Sequence, residues 1–280
     1  MAFTPTVTIY SNWKPCPRAE VLFTSFEPGT ASVTVYREAE GRESQVSGAI
    51  RAVVAGALTR IDFEIPFNVS VTYWAEMFSA AGVSLGLTSS ATVKLYSSET
   101  CIHNPLDPKG AVSVDLLVKS GTVLRRPIVG EVVHPIGRPL GVVISSGRQG
   151  LAGLTLMVST RTLGEGDRFA QLLGDYSRAT VPVLCIRSGT PIRIPKPLFA
   201  SVLDPKEMAV DVHMGGGIID WELTGDEVAR PAPGLLIPLL TRADLNAYYS
   251  TRASLSADNA SRLAVNRRDD LMGASNAVAL

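Results

Sequence analysis

The sequence RPLGVVISSGRQGLAGLTLMVSTRTLGEGDRFAQLLGDYSRATVPVLCIR, residues 138–187, contains the one clear helical pattern in an otherwise strand-rich chain. Gly164–Asp167 has the composition of a turn, and Asp167 is a favourable N-cap residue. Apolar residues then recur at i, i+3, i+4 and i+7, which predicts one helix over about 167–177. The residues of this stripe are Phe169, Leu172, Leu173 and Tyr176.

The flanks of this helix predict strands of two kinds. A β-hairpin precedes it, and residues 154–159 alternate apolar and polar side chains, as a half-buried strand does. Residues 181–186 are almost continuously apolar, which is typical of a strand covered on both faces. The segment therefore predicts a strand–helix–strand unit inside a β-rich protein, with no catalytic residue on it.

Composition excludes several classes of function. The chain has 280 residues, 46% hydrophobic and 19% charged, with 26 basic and 26 acidic side chains. Nucleic acid and membranes are therefore not expected as partners, since no basic field is present and the longest apolar stretches are too short to span a bilayer. The N-terminal sequence MAFTPTVTIY lacks a signal-peptide pattern. The three scattered cysteines, Cys16, Cys101 and Cys185, predict structural thiols in a protein made in a reducing compartment.

Residues 1–97 read as a β-sandwich of the fibronectin type III or immunoglobulin sort. Short alternating segments are separated by turn residues at the spacing of such sandwiches. The Gly82–Gly86 segment reads as one of the loops. The predicted strands are Val7–Tyr10, Ala19–Ser25, Ser32–Glu38, Val46–Val54, Leu58–Ile65, Val69–Phe78 and Ala91–Tyr96.

A polar, proline-containing stretch, SSETCIHNPLDPKG, predicts a connector over 98–110. Residues 111–240 then predict a β-barrel-like domain with the single helix packed on it, because one helix cannot cover the sheet of a doubly wound fold. Its predicted strands are Val112–Val118, Val123–Val133, Pro139–Ser145, Gly153–Thr160, Val181–Arg187, Thr190–Ile194, Ala200–Leu203, Met208–His213 and Ile218–Leu223.

The C-terminal residues, 241–280, change in character. TRADLNAYYS at 241–250 is followed by the near-repeat TRASLSADNA at 251–260. The segment is too polar to build a core of its own. It therefore predicts a C-terminal arm, partly helical or extended, that becomes ordered when it packs against a neighbour.

No constellation of catalytic or metal-binding residues is found. His103, His134 and His213 are isolated from one another, and the sequence around Ser145 and Ser146 breaks the spacing of a nucleophile elbow. Gly215–Gly217 is followed by a predicted strand rather than a helix, which favours a wide hairpin turn over a phosphate site. We therefore predict no catalytic, cofactor or metal site, no cofactor, and no enzyme.

Over most of the chain, the order of these elements resembles that of the minor tail proteins of long-tailed bacteriophages that infect Actinobacteria, of the distal-tail or baseplate-hub type. The matching stretches are ASVTVYREAEGRESQVSGAI and VTYWAEM in the front domain, the NPLDP connector, and HPIGRPLGVVISSGRQGLAGLTLMVSTRTLGEGDRFAQLLGDY with VPVLCIRSGTPIRIP behind it. The pattern includes an Arg-bearing turn at Gly137–Leu140 followed by Arg148. The tail repeat is similar to the aromatic-Ala-Asp-Leu repeats of such C-termini, although Arg242 and Arg252 stand where an aromatic residue is expected.

This resemblance implies a split β-barrel with an outer helix behind a fibronectin-like sandwich. It implies a structural protein of the virion, made in the host cytoplasm and located at the tail tip of a siphophage. The implied partners are other copies of the chain, in a ring expected to be a hexamer, the tail tube protein, hub or tip proteins and, as a further candidate, the tape measure protein. Edge strands such as Val181–Arg187 are expected to meet the neighbours.

Two other functions stay open. A carbohydrate- or cell-wall-binding adhesion module would use Trp13, Trp74 or Trp221 to stack on sugar rings. A tail-associated hydrolase would use Asp220 and Glu222, which flank Trp221 on one predicted strand. Two exposed acids beside a buried tryptophan explain the second pattern equally well.

Overall fold

The structure is a computed structural model that describes residues 3–12, 14–174, 181–210, 212–231, 240–261, 264–265 and 268–271. These residues are mainly β, as the sequence predicts. A β-sandwich is followed by a closed six-stranded antiparallel barrel with a packed helix, and then by short helices. The predicted fold class is confirmed.

Nine strands in two sheets build the sandwich. The first, second and sixth strands form one sheet, and the fourth, third, seventh and eighth form the other, with the fifth added to the third and the ninth to the seventh. Both sheets contribute alternate side chains to one core, for example Val21 from the first sheet and Val35 from the second. The strands are β1 (Thr6–Tyr10), β2 (Arg18–Phe23), β3 (Ser32–Ala39), β4 (Arg42–Gln45), β5 (Ala52–Val53), β6 (Leu58–Asp62), β7 (Ser70–Phe78), β8 (Ser84–Leu87) and β9 (Ala91–Lys94).

The second half contributes nine further strands. They are β10 (Thr100–Asn104), β11 (Asp107–Leu116), β12 (Ile128–Val133), β13 (Val142–Arg148), β14 (Leu154–Thr160), β15 (Val183–Ser188), β16 (Leu198–Val202), β17 (Lys206–Ala209) and β18 (Ile219–Glu227). The barrel runs β14-β11-β10-β15-β16-β18, and antiparallel pairing of β14 with β18 closes it. β17 pairs with the first half of β18, whereas β12 and β13, within the described parts of the chain, pair only with each other.

The barrel encloses a packed core rather than a pore. Alternate residues of its strands are buried together, among them Ile102, Val114, Leu156 and Ile186. The wall is tight where β16 meets β18, because a Cβ atom on Gly225 would lie 2.1 Å from the carbonyl oxygen of Ser201. A glycine is therefore required at this point of the closure.

The single helix of the barrel, α1 (Leu163–Leu173), begins four residues before the predicted start at Asp167. Its N-cap is Thr162, whose side chain accepts a hydrogen bond from the Glu165 backbone N–H. The prediction of a turn at Gly164–Asp167 is wrong, because both glycines are helical and Gly166 is needed where Ile219 packs, its Cδ1 2.6 Å from the position of a Cβ. The predicted residues 175–177 lie outside the described residues.

The ten-residue repeat folds as two short helices, α2 (Arg242–Tyr248) and α3 (Arg252–Asp258). Each helix begins with a capping box, formed by Thr241 with Asp244 and by Thr251 with Ser254. The repeated Thr-Arg-Ala motif thus encodes a helix start, with Arg242 and Arg252 exposed at the first helical positions. Lys109 of β11 forms an ion pair with Asp244 at 3.6 Å, which ties the repeat to the barrel.

The prediction of a connector over 98–110 is wrong. Residues 100–104 and 107–116 are adjacent barrel strands, and every residue of β10 is buried. The polar side chains of this segment, such as His103, face the sandwich rather than solvent. Polar composition therefore marks a junction here and not a linker.

Three further strand predictions, one loop prediction and one prediction of a sheet edge need correction. Within Val46–Val54 only Ala52–Val53 is a strand, and Arg51 has a positive φ of 50°. Thr190–Ile194 is irregular rather than a strand. The strand predicted at Met208–His213 overlaps β17 only at Met208 and Ala209, and a short 3-10 helix lies at Val212–Met214. The Gly82–Gly86 loop instead contains most of β8. The edge expected at Val181–Arg187 is also wrong, because β15 pairs with β10 on one side and β16 on the other.

Candidate functional site

The most unusual surface is a β-ribbon that projects from the barrel wall. β11 and β14 pair directly at Asp115↔Ser159 and Leu116↔Val158, and the chain between them leaves the wall and returns. We call residues 125–152 the arm; it consists of β12, β13 and their turn, and a bridge between Arg125 and Ala152 closes its base. Every residue of β12 and β13 is exposed.

Both faces of the arm carry apolar side chains. Cross-strand pairs place Val133 with Val142 on one face and Val132 with Val143 on the other. Outside the base of the arm, each large apolar side chain is at least 37% exposed. These side chains belong to neither the sandwich core nor the barrel core. These residues are Ile128, Val129, Val132, Val133, Ile136, Leu140, Val142, Val143 and Ile144.

The two strands of the arm approach each other closely at a glycine. A Cβ atom on Gly130 would lie 2.6 Å from Cβ of Ser145 and 2.7 Å from the Ile144 carbonyl oxygen. A register shift between Ile128 and Gly130 accommodates this approach. Ser145 and Ser146, whose sequence context lacks the spacing of a nucleophile elbow, lie in this exposed ribbon, and Ser146 Oγ donates to the Val129 carbonyl oxygen at 3.2 Å.

The arm is basic, and a second exposed surface is acidic. The arm contains four arginines and one glutamate, namely Arg125, Arg126, Arg138, Arg148 and Glu131. We call residues 203–210, with the outward side chains of Asp220 and Glu222 on the paired strand, the β17 edge. Its described charges are four acids and one lysine, and Leu203, Met208 and Val210 are exposed on it.

A buried ionic network lies inside the sandwich. Both carboxylate oxygens of Asp62 are 2.6 Å from Nη1 of Arg37, and Asp62 also accepts from the Tyr73 hydroxyl at 2.7 Å and the Glu64 N–H at 2.9 Å. Glu64 accepts from Arg37 at 3.2 Å and from Arg230, which follows β18, at 2.7 Å. The network therefore connects the sandwich with the end of the last barrel strand.

Burial and pairing shift the acids of this network in opposite directions. Burial alone would raise the pKa of Asp62, but the Arg37 guanidinium and the hydrogen bonds from Tyr73 and Glu64 hold it below its ordinary value. Burial raises the pKa of Glu64, and Arg230 and Arg37 offset this only in part. Asp62 is therefore the well-paired acid and Glu64 the strained one.

The outer wall of β10 and β15 forms the rest of the junction with the sandwich. Arg187 is buried, donates from Nη1 to the carbonyl oxygens of Pro17 at 2.8 Å and Ile65 at 3.3 Å, and lies 4.7 Å from the centre of the Phe67 ring. Beside it, burial and then the Arg187 charge lower the pKa of His103 well below its usual value. Neither ring nitrogen of His103 has a hydrogen-bond partner among the described residues, so this histidine is a neutral part of the junction.

The sequence-predicted acids do not converge on a cleft. Asp220 and Glu222 lie on the outer face of β18, and Glu222 accepts a hydrogen bond from Lys206 at 2.7 Å. Trp221 between them points inward and lies 5.0 Å, ring centre to ring centre, from Phe169 of α1. This arrangement is the one expected for a half-buried strand, and the pair offers no enclosed site for a sugar.

The other candidate residues are dispersed. His134 lies in the arm and His213 in the short helix after β17, and Gly215–Gly217 connect β17 to β18 as the predicted wide hairpin. Trp13 is outside the described residues. Trp74 is half-buried on the outer face of the sandwich, where it stacks on Tyr36 with 5.9 Å between ring centres.

In the part of the chain that the structure describes, no group of three or more histidine, cysteine, aspartate or glutamate side chains could hold a metal ion. Nor does any described helix have the length and apolar character needed to cross a bilayer. Comparison of the chain with protein-family models, curated proteins and solved structures finds no match in any of the three.

Sequence reasoning missed two of these features. It predicted the strands of the arm as barrel strands, although the runs IVGEVV and GVVIS place apolar residues on both faces. It also missed the buried network, although Arg37 has the same strand parity as Val33 and Val35 and is therefore placed inward. A charge at an inward position is the signal that would have found it.

Proposed function

We propose that this chain is a structural subunit of a virion, which assembles with copies of itself into a ring at the distal end of a siphophage tail and joins the tail tube to the tail tip. The observation that carries this proposal is the arm, with its exposed apolar side chains on both faces. The resemblance to distal-tail proteins supplies the location, the tube and hub partners and the expected hexamer.

The arm requires a partner on physical grounds. A two-stranded ribbon alone is marginally stable in water, and apolar patches of this extent on soluble proteins mark interaction sites. Each large apolar side chain that becomes buried contributes about 1.5–3 kcal/mol. A partner that covers both faces of the ribbon therefore supplies the stability that the ribbon itself lacks.

The partner that fits the arm is the β17 edge of another copy. Among the described residues the outer edge of β17 pairs with no strand, its side chains are exposed, and its acids complement the arginines of the arm. The arm leaves the barrel between β11 and β14, whereas β17 lies beyond β18, so the two surfaces are different. A contact between different surfaces is heterologous and closes into a ring when its rotation divides a full turn.

The architecture is compatible with this role. The closed barrel is rigid, its interior is filled, and the sandwich is fixed to its outer wall through Arg187 and Arg230. A fibronectin type III-like sandwich held in this way decorates the ring rather than moving freely. On this proposal, function resides in the exposed surfaces of the subunit.

Native mass spectrometry and negative-stain electron microscopy of the purified protein test the proposal. We expect a closed oligomer, of six copies if the resemblance holds, and stable binding when the tail tube protein is added. A protein that stays monomeric at micromolar concentration, with and without the tube protein, would contradict it.

A second candidate function is favoured by the stacked Tyr36–Trp74 pair. Trp74 lines a shallow open cleft of about 550 Å³ together with Glu38, Thr72 and Leu87. Aromatic faces beside acids and hydroxyls suit the apolar faces and hydroxyl groups of a sugar. This surface supports the adhesion-module hypothesis for the sandwich, whereas Trp221 is buried and cannot contribute.

Co-sedimentation with purified actinobacterial cell walls tests the second candidate. If the cleft binds glycan, Trp74→Ala lowers the affinity roughly tenfold, because a stacking residue at the centre of a site contributes more than about 1 kcal/mol. The matched control is Tyr96→Ala, which removes an aromatic side chain that is 69% exposed elsewhere on the sandwich. Equal sedimentation of the wild type and both variants would exclude the cleft as a glycan site.

A further inference from the structure

Two of the three cysteines meet at the junction between the sandwich and the barrel. Cys16 lies in the segment between β1 and β2, and Cys101 lies on β10. Both belong to the same buried cluster, and Arg187, the cross-strand partner of Cys101, donates to the carbonyl oxygen of Pro17, directly after Cys16, at 2.8 Å. The contact between the two thiols is the largest influence on the pKa of each. Two cysteines that are far apart in the sequence and lie on opposite sides of the junction are therefore neighbours in its buried interior.

The strand register explains why Cys101 faces the sandwich. Its neighbour Ile102 points into the barrel core, so Cys101 points outward, in register with Arg187 on β15. Cys185 is also on the outer wall, opposite His103, but it hydrogen-bonds to neither of the other thiols in the described contacts. The chain therefore contains one thiol pair and one separate buried thiol.

We propose that Cys16 and Cys101 are an oxidisable dithiol, and that their disulfide covalently locks the sandwich to the barrel. Nothing in this proposal depends on the ring. The bond would close a long loop of the chain, and a disulfide that closes a long loop is expected to stabilise the folded state most. The junction, held by hydrogen bonds and ion pairs in the reduced protein, would become a single covalent unit.

The step balances with a low-molecular-weight disulfide such as oxidised glutathione. The Cys101 thiolate attacks one glutathione sulfur, forms a mixed disulfide and releases a glutathione thiolate, which takes up the proton that Cys101 lost. The Cys16 sulfur then attacks the Cys101 sulfur, the second glutathione thiolate leaves, and it takes up the Cys16 proton. The two cysteines are oxidised by two electrons, and one oxidised glutathione becomes two reduced molecules.

The surroundings favour Cys101 as the attacking sulfur. The hydrogen bond from the Cys16 thiol, with help from the Arg187 guanidinium, outweighs burial and lowers the pKa of Cys101. Burial raises the pKa of Cys185, which holds that thiol in its unreactive form. Because both members of the pair are buried, the reaction is expected to be slow and to follow local opening of the junction.

The test is peptide mapping of the folded full-length protein after incubation with oxidised glutathione and alkylation of the remaining thiols. We expect a linked pair of peptides that contain Cys16 and Cys101, loss of two hydrogens from the intact mass, and an alkylated Cys185. The urea midpoint of unfolding should rise on oxidation and return after treatment with a phosphine reductant.

Matched serine variants complete the design. Cys185→Ser should still form the link and show the rise in midpoint, whereas Cys16→Ser and Cys101→Ser should show neither. Mapping of the oxidised wild type does not depend on how the variants fold. Free Cys16 and Cys101 thiols in that wild-type sample, or a link that involves Cys185 instead, would overturn the proposal.

Discussion

A carboxylate on each face of the arm, introduced as Val132→Glu and Ile144→Glu together, is expected to abolish assembly of the ring. Each substitution places a negative charge where the neighbouring subunit would bury an apolar side chain. The new carboxylates would also be repelled by the acids of the β17 edge. We expect association at least about 30-fold weaker, the effect of losing about 2 kcal/mol at the centre of an interface. Sedimentation velocity over a concentration series measures it.

The fold of the subunit should survive these changes, because neither side chain belongs to the sandwich core or the barrel core. Val53→Glu is the matched control: it makes the same substitution at a valine that is 85% exposed on β5 of the sandwich. This control should assemble like the wild type. Normal assembly of the arm variant as well would show that the ring does not use the arm.

Charge exchange tests which surface receives the arm. Arg148→Glu and Glu207→Arg should each weaken assembly, and the double variant should recover much of the loss if the two surfaces face each other. Additive losses in the double variant would leave the arm as an assembly element but would assign its partner surface elsewhere.

The local patterns of the sequence predicted most elements correctly, and the errors have physical causes. Alternating burial along Leu154–Val158 and continuous burial along Val183–Ser188 match the local apolar patterns of these segments. The start of α1 was also encoded locally, by Thr162 and Glu165, but Gly164 and Gly166 suggested a turn. Here the capping signal outweighed the low helix propensity of glycine.

Burial of polar segments and exposure of apolar ones could not be predicted in the same way. β15 is an interior strand because it pairs with β10, which is distant in sequence, on one side and with β16 on the other. His103 and Arg187 are buried because the sandwich covers the barrel wall. The apolar residues of the arm, in contrast, would be buried in a larger sheet, but no third strand among the described residues pairs with β12 or β13.

The buried network explains how a junction rich in charge remains stable. Arg37 and Asp62 make a bidentate contact, and the remaining acceptor positions of Asp62 receive donors from Tyr73 and a backbone N–H. A buried ion pair stabilises little relative to apolar packing, but the loss of one partner leaves the other charge buried without compensation. The cost of breaking this pair should therefore far exceed the net contribution of the pair itself.

Asp62→Asn is expected to lower the free energy of unfolding by about 3–5 kcal/mol, the effect seen when one member of a buried pair is removed. The substitution keeps the size of the side chain and removes only the charge that Arg37 requires. Urea unfolding at pH 7, followed by tryptophan fluorescence, measures the loss. Asp115→Asn is the matched control: it removes the acid of an exposed pair with Arg161, in which the two side chains are 46% and 74% exposed, and should cost less than about 1 kcal/mol.

The pH dependence identifies the charge of Asp62 as the cause. Since the pKa of Asp62 is lower in the folded protein, its contribution is fully present above the unfolded-state value of about 3.9 and is lost as the pH falls through the folded-state value. The difference in stability between the wild type and Asp62→Asn should therefore be constant near neutral pH and shrink below about pH 4. Glu64→Gln should cost less than Asp62→Asn, because burial raises the pKa of Glu64 and its charged form already lies in an unfavourable environment. Equal losses for both variants, independent of pH, would instead mean that shape and hydrogen bonding, and not charge, hold the sandwich to the end of the barrel.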